Sequence, residues 1–358
     1  MATGNRMNRE QFFAAIAGLG EDQLRKVLWT VYWRGTAAVR ERVETEIAPP
    51  ERRPAPAVRE EVDPVAVLAT VREFVALARS GAYLARSRAV SPKERSGWRF
   101  TYRRLFADAR AALAVDDIGP GSAAMAELID LACRMRDYDY FRSDDPGEAA
   151  GVVVSDEVGV LWGRTLEHSG FPGFAQTAAA QFLRWESEHG WTRRGFGKVP
   201  EKERPLREVL ASLFTVSDHW VTFTEHYLAE LDARSETRAA RSRGRGSGGT
   251  SRDFEREQRT GVFTDWHLTL IEQFAGSDVE YLLDRVVSHP EFCGPDLLYV
   301  RSRLAHRRGD LDGARTLVHD ALETLPGHHE FLAFARQIGA ELPANARRVA
   351  EQRGWTGD

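Results

Sequence analysis

The stretch Leu297-Leu-Tyr-Val-Arg-Ser-Arg-Leu-Ala-His-Arg-Arg-Gly-Asp-Leu-Asp-Gly-Ala-Arg-Thr-Leu-Val-His-Asp-Ala-Leu-Glu-Thr-Leu-Pro326 decides the fold class. It reads as two helices joined by a tight turn. Gly309-Asp310 turns the chain, Ala314 and Ala321 are small enough to let two helix backbones approach, and Pro326 cannot continue a helix. A single hairpin of this kind cannot bury its own apolar faces, so helical neighbours are required on both sides. Upstream, Gly276-Ser277-Asp278 precedes Tyr281, Leu282, Val286 and Pro290, which suggests the second half of a shortened preceding unit. Pro290 and Pro326 lie 36 residues apart. Downstream, Phe331, Leu332, Phe334, Ala335 and Ile338 carry the spacing of a further helix, with His328-His329 in the turn before it. A helical solenoid over about 261 to 353 is expected.

Leu298, Ala305, Gly309, Asp310, Ala314, Ala321 and Pro326 together resemble one tetratricopeptide repeat, a helix–turn–helix unit of roughly 34 residues. The family's small first-helix glycine is Ser302 in this chain, and its large first-helix aromatic is Leu298. The resemblance covers about a tenth of the sequence. It implies protein or peptide binding on a concave face, and it brings no catalytic residue and no cofactor.

Working outward, the whole chain reads as all-α. It has 358 residues, 42% hydrophobic and 28% charged, a globular profile that excludes global disorder, collagen and a disulfide-stapled miniature. Residues 1–47 form a small N-terminal helical unit. Asn8 and Gln11 have capping-box spacing, Phe12, Phe13, Ile16 and Leu19 follow at helical intervals, and Gly20 and Gly35 end the first two helices. Residues 48–62, with Pro49, Pro50, Pro54 and Pro56, are a semi-rigid linker. Residues 63–233 form a middle helical domain. Asp63-Pro64 and Ser91-Pro92-Lys93-Glu94 are helix starts, and further helices are expected near 122–136, 149–168, 172–188 and 205–231. Residues 234–260 have no apolar side chain between Ala240 and Phe254, which predicts a flexible Arg/Gly/Ser-rich linker. Residues 261–358 form the C-terminal repeat-like domain.

Cys133 and Cys293 lie 160 positions apart, too few and too distant for a disulfide framework or a zinc ribbon, and a reducing, cytoplasmic setting is expected. The longest stretch without Asp, Glu, Lys or Arg, His168 to Leu183, is too short to cross a bilayer. The first residues lack the apolar core of a signal peptide. No membrane partner is therefore expected, and oligomeric state is left open.

Net charge is −4, but its distribution is uneven. Between Val71 and Arg110 ten basic residues face three acidic ones, a net +7, with Tyr83, Trp98, Phe100 and Tyr102 interleaved. Arg86, Arg88, Lys93, Arg95, Arg99, Arg103 and Arg104 are candidate nucleic-acid contacts, because such a surface neutralises phosphates while aromatic rings stack on bases. The following block, 111–160, carries a net −8, and this complementarity favours internal or inter-subunit pairing instead. Trp98 and Phe106 read as core. The Arg/Gly/Ser segment at 241–252 could add salt-sensitive contacts, although an interdomain linker needs no function.

Two further constellations invite chemistry. Asp218-His219 and Glu225-His226 are seven residues apart on an expected helix, which puts both rings on one face about 10 Å apart along the axis. Rings that share a metal usually converge at i,i+3 or i,i+4, so another segment would have to complete the site. Arg193-Arg194-Gly195-Phe196-Gly197-Lys198 departs from the GxxxxGK[ST] phosphate loop and reads as a polar loop after a helix. The primary expectation is a non-catalytic interaction protein that binds a protein or peptide through helical repeats. The alternatives are nucleic-acid binding through 72–110 and an enzyme centred on the middle domain.

Overall fold

The computed structural model describes residues 9–36, 40, 43, 62–85, 87–135, 138–143, 145–189, 197–242 and 249–354. Among these residues the structure is helical, with one isolated parallel bridge between Tyr83 and Phe141 and no strand. The chain divides into two compact units, Met1–Glu61 and Val62–Asp358.

The first unit contains α1 (Arg9–Ala17) and α2 (Glu21–Arg34), separated by Gly20 as expected. Gly35 ends α2, on which the rings of Trp29 and Trp33 stack at 5.7 Å. Asn8 of the expected capping box, most of residues 37–47 of the expected N-terminal unit and residues 48–61 of the expected linker lie outside the described residues.

The second unit opens with α3 (Pro64–Arg79), where the Asp63 carboxylate accepts hydrogen bonds from the amides of Val65 and Ala66. In α4 (Pro92–Ala112) Ser91 and Glu94 exchange side-chain and backbone hydrogen bonds at 2.8 and 3.2 Å, satisfying two amides that a helix start otherwise leaves without partners. Then come α5 (Ile118–Arg134), α6 (Pro146–Ala150) and α7 (Val154–His189). The last is broken at Gly170 (φ 65°, ψ 174°), two residues before Pro172, where the sequence separates two helices. A short 3₁₀ turn at Pro200–Lys202 leads to α8 (Leu206–Leu213) and α9 (Ser217–Ser242). The single helix expected over 205–231 is thus two, because Phe214 turns to extended backbone and inserts its ring among Phe171, Trp220 and Phe223.

The largest correction concerns residues 234–260. Instead of a flexible linker, residues 234–242 complete α9 and residues 249–260 begin α10 (Gly249–Phe274); only 243–248 fall outside the described residues. Polar side chains provide what the composition lacks. Arg234 donates to the Ala180 carbonyl at 3.1 Å, Ser235 donates to Glu291 at 3.0 Å, and Arg256 and Arg259 reach the Pro290 carbonyl and the Glu291 carboxylate. The division of 63–233 from 261–358 fails with it. One apolar core runs from Val71 to Leu304, and the chain from Val62 onward is one compact unit.

After α10 come α11 (Tyr281–Val287), α12 (Pro295–Arg307), α13 (Leu311–Thr324), α14 (His329–Gln337) and α15 (Ala344–Gln352). A second, smaller core around Tyr299, Val318, Phe331 and Ala335 holds the last four together.

The crossing of α4 and α5 gives a direct test of the packing. A Cβ at Gly121 would sit 2.7 Å from backbone atoms of Ala112 and Leu113, which cannot swing aside. Gly121→Ala should cost about 1–3 kcal/mol through overpacking, read as a lower urea midpoint at unchanged slope. Gly97→Ala on α4 meets nothing within 4 Å and should instead stabilise, by about 0.5–1 kcal/mol. A neutral Gly121→Ala would contradict the close approach.

Candidate functional site

The hairpin of α12 and α13 is built as its residues dictate. Gly309 takes φ +82°, a conformation costly for other residues, and the Asp310 carboxylate caps α13 by accepting from the Gly313 amide at 2.9 Å. Ala314 and Ala321 are fully buried, Leu298 and Ala305 are half-buried, and Pro326 follows the end of α13. Ser302 is also buried, and its hydroxyl donates to the Ala314 carbonyl at 2.6 Å, so a serine fits where the backbones come together.

The first helix of this hairpin, α12, forms an open cleft of about 360 Å³ with α10 and α14. Leu268, Ile271 and Glu272 face it from α10, Arg303, His306 and Arg307 from α12, and Phe334 and Gln337 from α14. Leu268, Ile271 and Phe334 make an apolar floor. The Arg303 guanidinium lies 4.7 Å from the Phe334 ring centre and donates to the Tyr299 hydroxyl at 3.0 Å, while His306 meets Phe334 edge-on at 5.6 Å. Three basic side chains thus stand over apolar surface, opposed within the cleft by one carboxylate, Glu272. No signal in the sequence joins α10 to α12 and α14, and of the lining residues only Phe334 figures in the sequence pattern, at the spacing of a further helix.

The basic block takes several fates. Arg110 forms a two-pronged pair with buried Glu157 at 2.6 and 2.8 Å, Arg72 approaches Glu127 at 3.9 Å, and Arg104 approaches Asp108 at 4.0 Å. Arg95 instead donates to the carbonyls of Leu84, Ala85 and Ser87, clamping the turn before α4. Arg88, Lys93, Arg99 and Arg103 form no ion pair among the described residues, and Arg86 lies outside them. The expected mutual neutralisation therefore holds for Arg72 and Arg110 and fails for the first half of α4. The acids are engaged elsewhere. Asp117 and Asp145 cap α5 and α6, Glu148 accepts from the amides of Lys198 and Val199, Asp130 pairs with Arg184, and Asp156 approaches Arg204. Trp98 and Phe106 are core residues, whereas Phe100 is 58% exposed.

His219 and His226 both lie on α9, and among the described residues no metal-ligating side chain from another segment completes a site with them. His219 stacks on Phe171 at 3.7 Å and its Nδ1 accepts from the Thr215 amide. Asp218 and Glu225 are exposed, and no group of three His, Cys, Asp or Glu side chains that could hold a metal occurs among the described residues. The polar cluster that does form was not legible in the sequence. Tyr227 and His267 share a 2.9 Å hydrogen bond, His289 meets Asp232 at 3.2 Å, and Arg259 pairs with Glu291. His267 is buried, and the cluster joins α9, α10 and the segment before α12.

No helix among the described residues is long and apolar enough to cross a membrane. Comparison with known proteins returns no family model, no curated protein and no solved structure that matches the chain.

Burial, followed by the nearby His289, holds the His267 imidazole down at about 3. The unfolded chain takes up a proton on this ring below about pH 6.5 while the folded chain does not. Stability should therefore fall as pH drops from 6.5 towards 3, with a contribution of about 1.4 kcal/mol per pH unit. Urea unfolding across that window checks this, and His267→Gln should flatten the slope; an unchanged slope would place the acid sensitivity elsewhere.

Proposed function

We propose that the chain is a non-catalytic interaction protein that holds a peptide segment of a partner in the cleft over α10, α12 and α14. The observation that supports this reading is the cleft itself. Its apolar floor suits hydrophobic side chains, and Arg303, His306 and Arg307 above it suit an acidic group on the same segment. The resemblance of about 295–328 to a tetratricopeptide repeat agrees with a peptide ligand, and α10 with α11, α12 with α13 and α14 with α15 are then three successive hairpins. Cytoplasmic residence fits two free cysteines.

Removing 261–358 is a poor test, because it also removes Phe263 and Trp266 from the main core. A point change is cleaner. Selection of a displayed random-peptide library on the full chain should enrich sequences that combine apolar side chains with an acidic one. Arg307→Glu, at an exposed position, should weaken those peptides about tenfold or more by placing like charge against them. Lack of enrichment, or peptides indifferent to Arg307→Glu, would remove the cleft from the account.

A further inference from the structure

The first half of α4 meets a second element that sequence reading does not bring to it. Phe141 is buried, forms the bridge with Tyr83 and stacks on Trp98 at 4.0 Å with 20° between planes. That anchoring brings the next residue, Arg142, out of the acidic block and onto α4. Arg142 and Arg99, together with Arg95, Ser96 and Trp98, line a cleft of about 400 Å³. No acidic side chain among the described residues lines it. Arg142 and Arg99 are exposed and form no ion pair among the described residues. Glu94, the one acid between Arg88 and Arg103, is tied to the Ser91 amide at 2.8 Å.

Beside this cleft Phe100 projects into solvent, with the guanidinium of Arg99 at 4.8 Å and that of Arg103 at 5.1 Å from its ring centre. Arg95, Arg99 and Arg103 are spaced by four residues, about 6 Å per step along the helix. We propose that this face binds single-stranded nucleic acid, with a backbone phosphate held between Arg99 and Arg142 and an unpaired base stacked on Phe100. Cations in a row follow a phosphate backbone, and an exposed ring flanked by guanidinia rewards a base free of its partner strand. A duplex keeps its bases stacked on one another and offers the ring nothing. A lipid surface calls for a continuous apolar face, but the residues one turn from Phe100 are Ser96, Gly97, Arg103 and Arg104. The surface is separate from the peptide cleft, and its test does not depend on that reading.

Fluorescence anisotropy of labelled oligo-dT and oligo-U, titrated with the full chain across a salt series, tests this directly. A duplex of the same length and phosphatidylserine vesicles are run alongside. The expected result is single-strand binding that weakens with salt, at least about tenfold weaker duplex binding, and no vesicle binding at about 0.15 M salt. Arg99→Gln with Arg142→Gln should reduce the slope of log affinity against log salt by about 0.7, the one phosphate contact the pair makes. Phe100→Ala should weaken binding about fivefold or more at unchanged slope, since a stacked base carries no counterion. All three positions are exposed, and melting curves matching the wild type establish that the variants fold. The proposal is overturned by absence of single-strand binding at about 50 mM salt, by equal or tighter binding of duplex or vesicles, or by folded variants that leave affinity and slope unchanged.

Discussion

An aromatic knot between α7, α9 and α10 carries the second unit. Phe182 meets Phe263 at 5.4 Å and Trp266 at 5.3 Å, Phe223 meets Trp266 at 5.5 Å, and Tyr227 meets Phe263 at 6.1 Å. All five side chains are fully buried. Each such pair adds about 0.5–1.5 kcal/mol beyond the area it removes from water. Because α10 supplies Phe263 and Trp266 to the knot and Leu268, Ile271 and Glu272 to the cleft, the position of the cleft follows from that of the knot. The Tyr227–His267 hydrogen bond and the Arg259–Glu291 pair reinforce the same joint with polar contacts.

The charged surfaces follow from a second constraint, the orphan amides at helix starts and loops. Asp63, Asp117, Asp145 and Asp310 cap helices, and Glu148 and Glu203 accept from the amides of Lys198, Val199, Val154 and Ser155. Carboxylates held in this way are not placed to pair with distant arginines. A chain of nearly balanced charge can thereby keep a net positive helix face, and the first half of α4 is that face.

Local chemistry was legible. Asp63-Pro64 and Ser91-Pro92 start helices where their capping groups require, the break at Gly170 falls between the two helices that periodicity separates, and Gly309-Asp310 makes the turn. What depends on distant partners was not. The composition of 234–260 cannot reveal that Arg234, Arg256 and Arg259 find carbonyl and carboxylate acceptors 32 to 54 residues away. Likewise Arg142 sits among acids in sequence, and only the burial of Phe141 against Trp98 carries it to α4. Of the candidate nucleic-acid residues, Arg99 and Arg103 flank Phe100, whereas Arg95 is partly occupied with the turn before α4 and Arg104 approaches Asp108.

The central claim is that the chain from Val62 onward holds together through the knot across the Arg/Gly/Ser segment. A protease site placed within 243–248, cleaved under native conditions and followed by gel filtration, addresses it most directly. The account predicts that the two fragments co-elute as one particle of unchanged size and separate only in denaturant. Fragments that elute independently in native buffer would contradict it and restore the segment as a linker between separate domains.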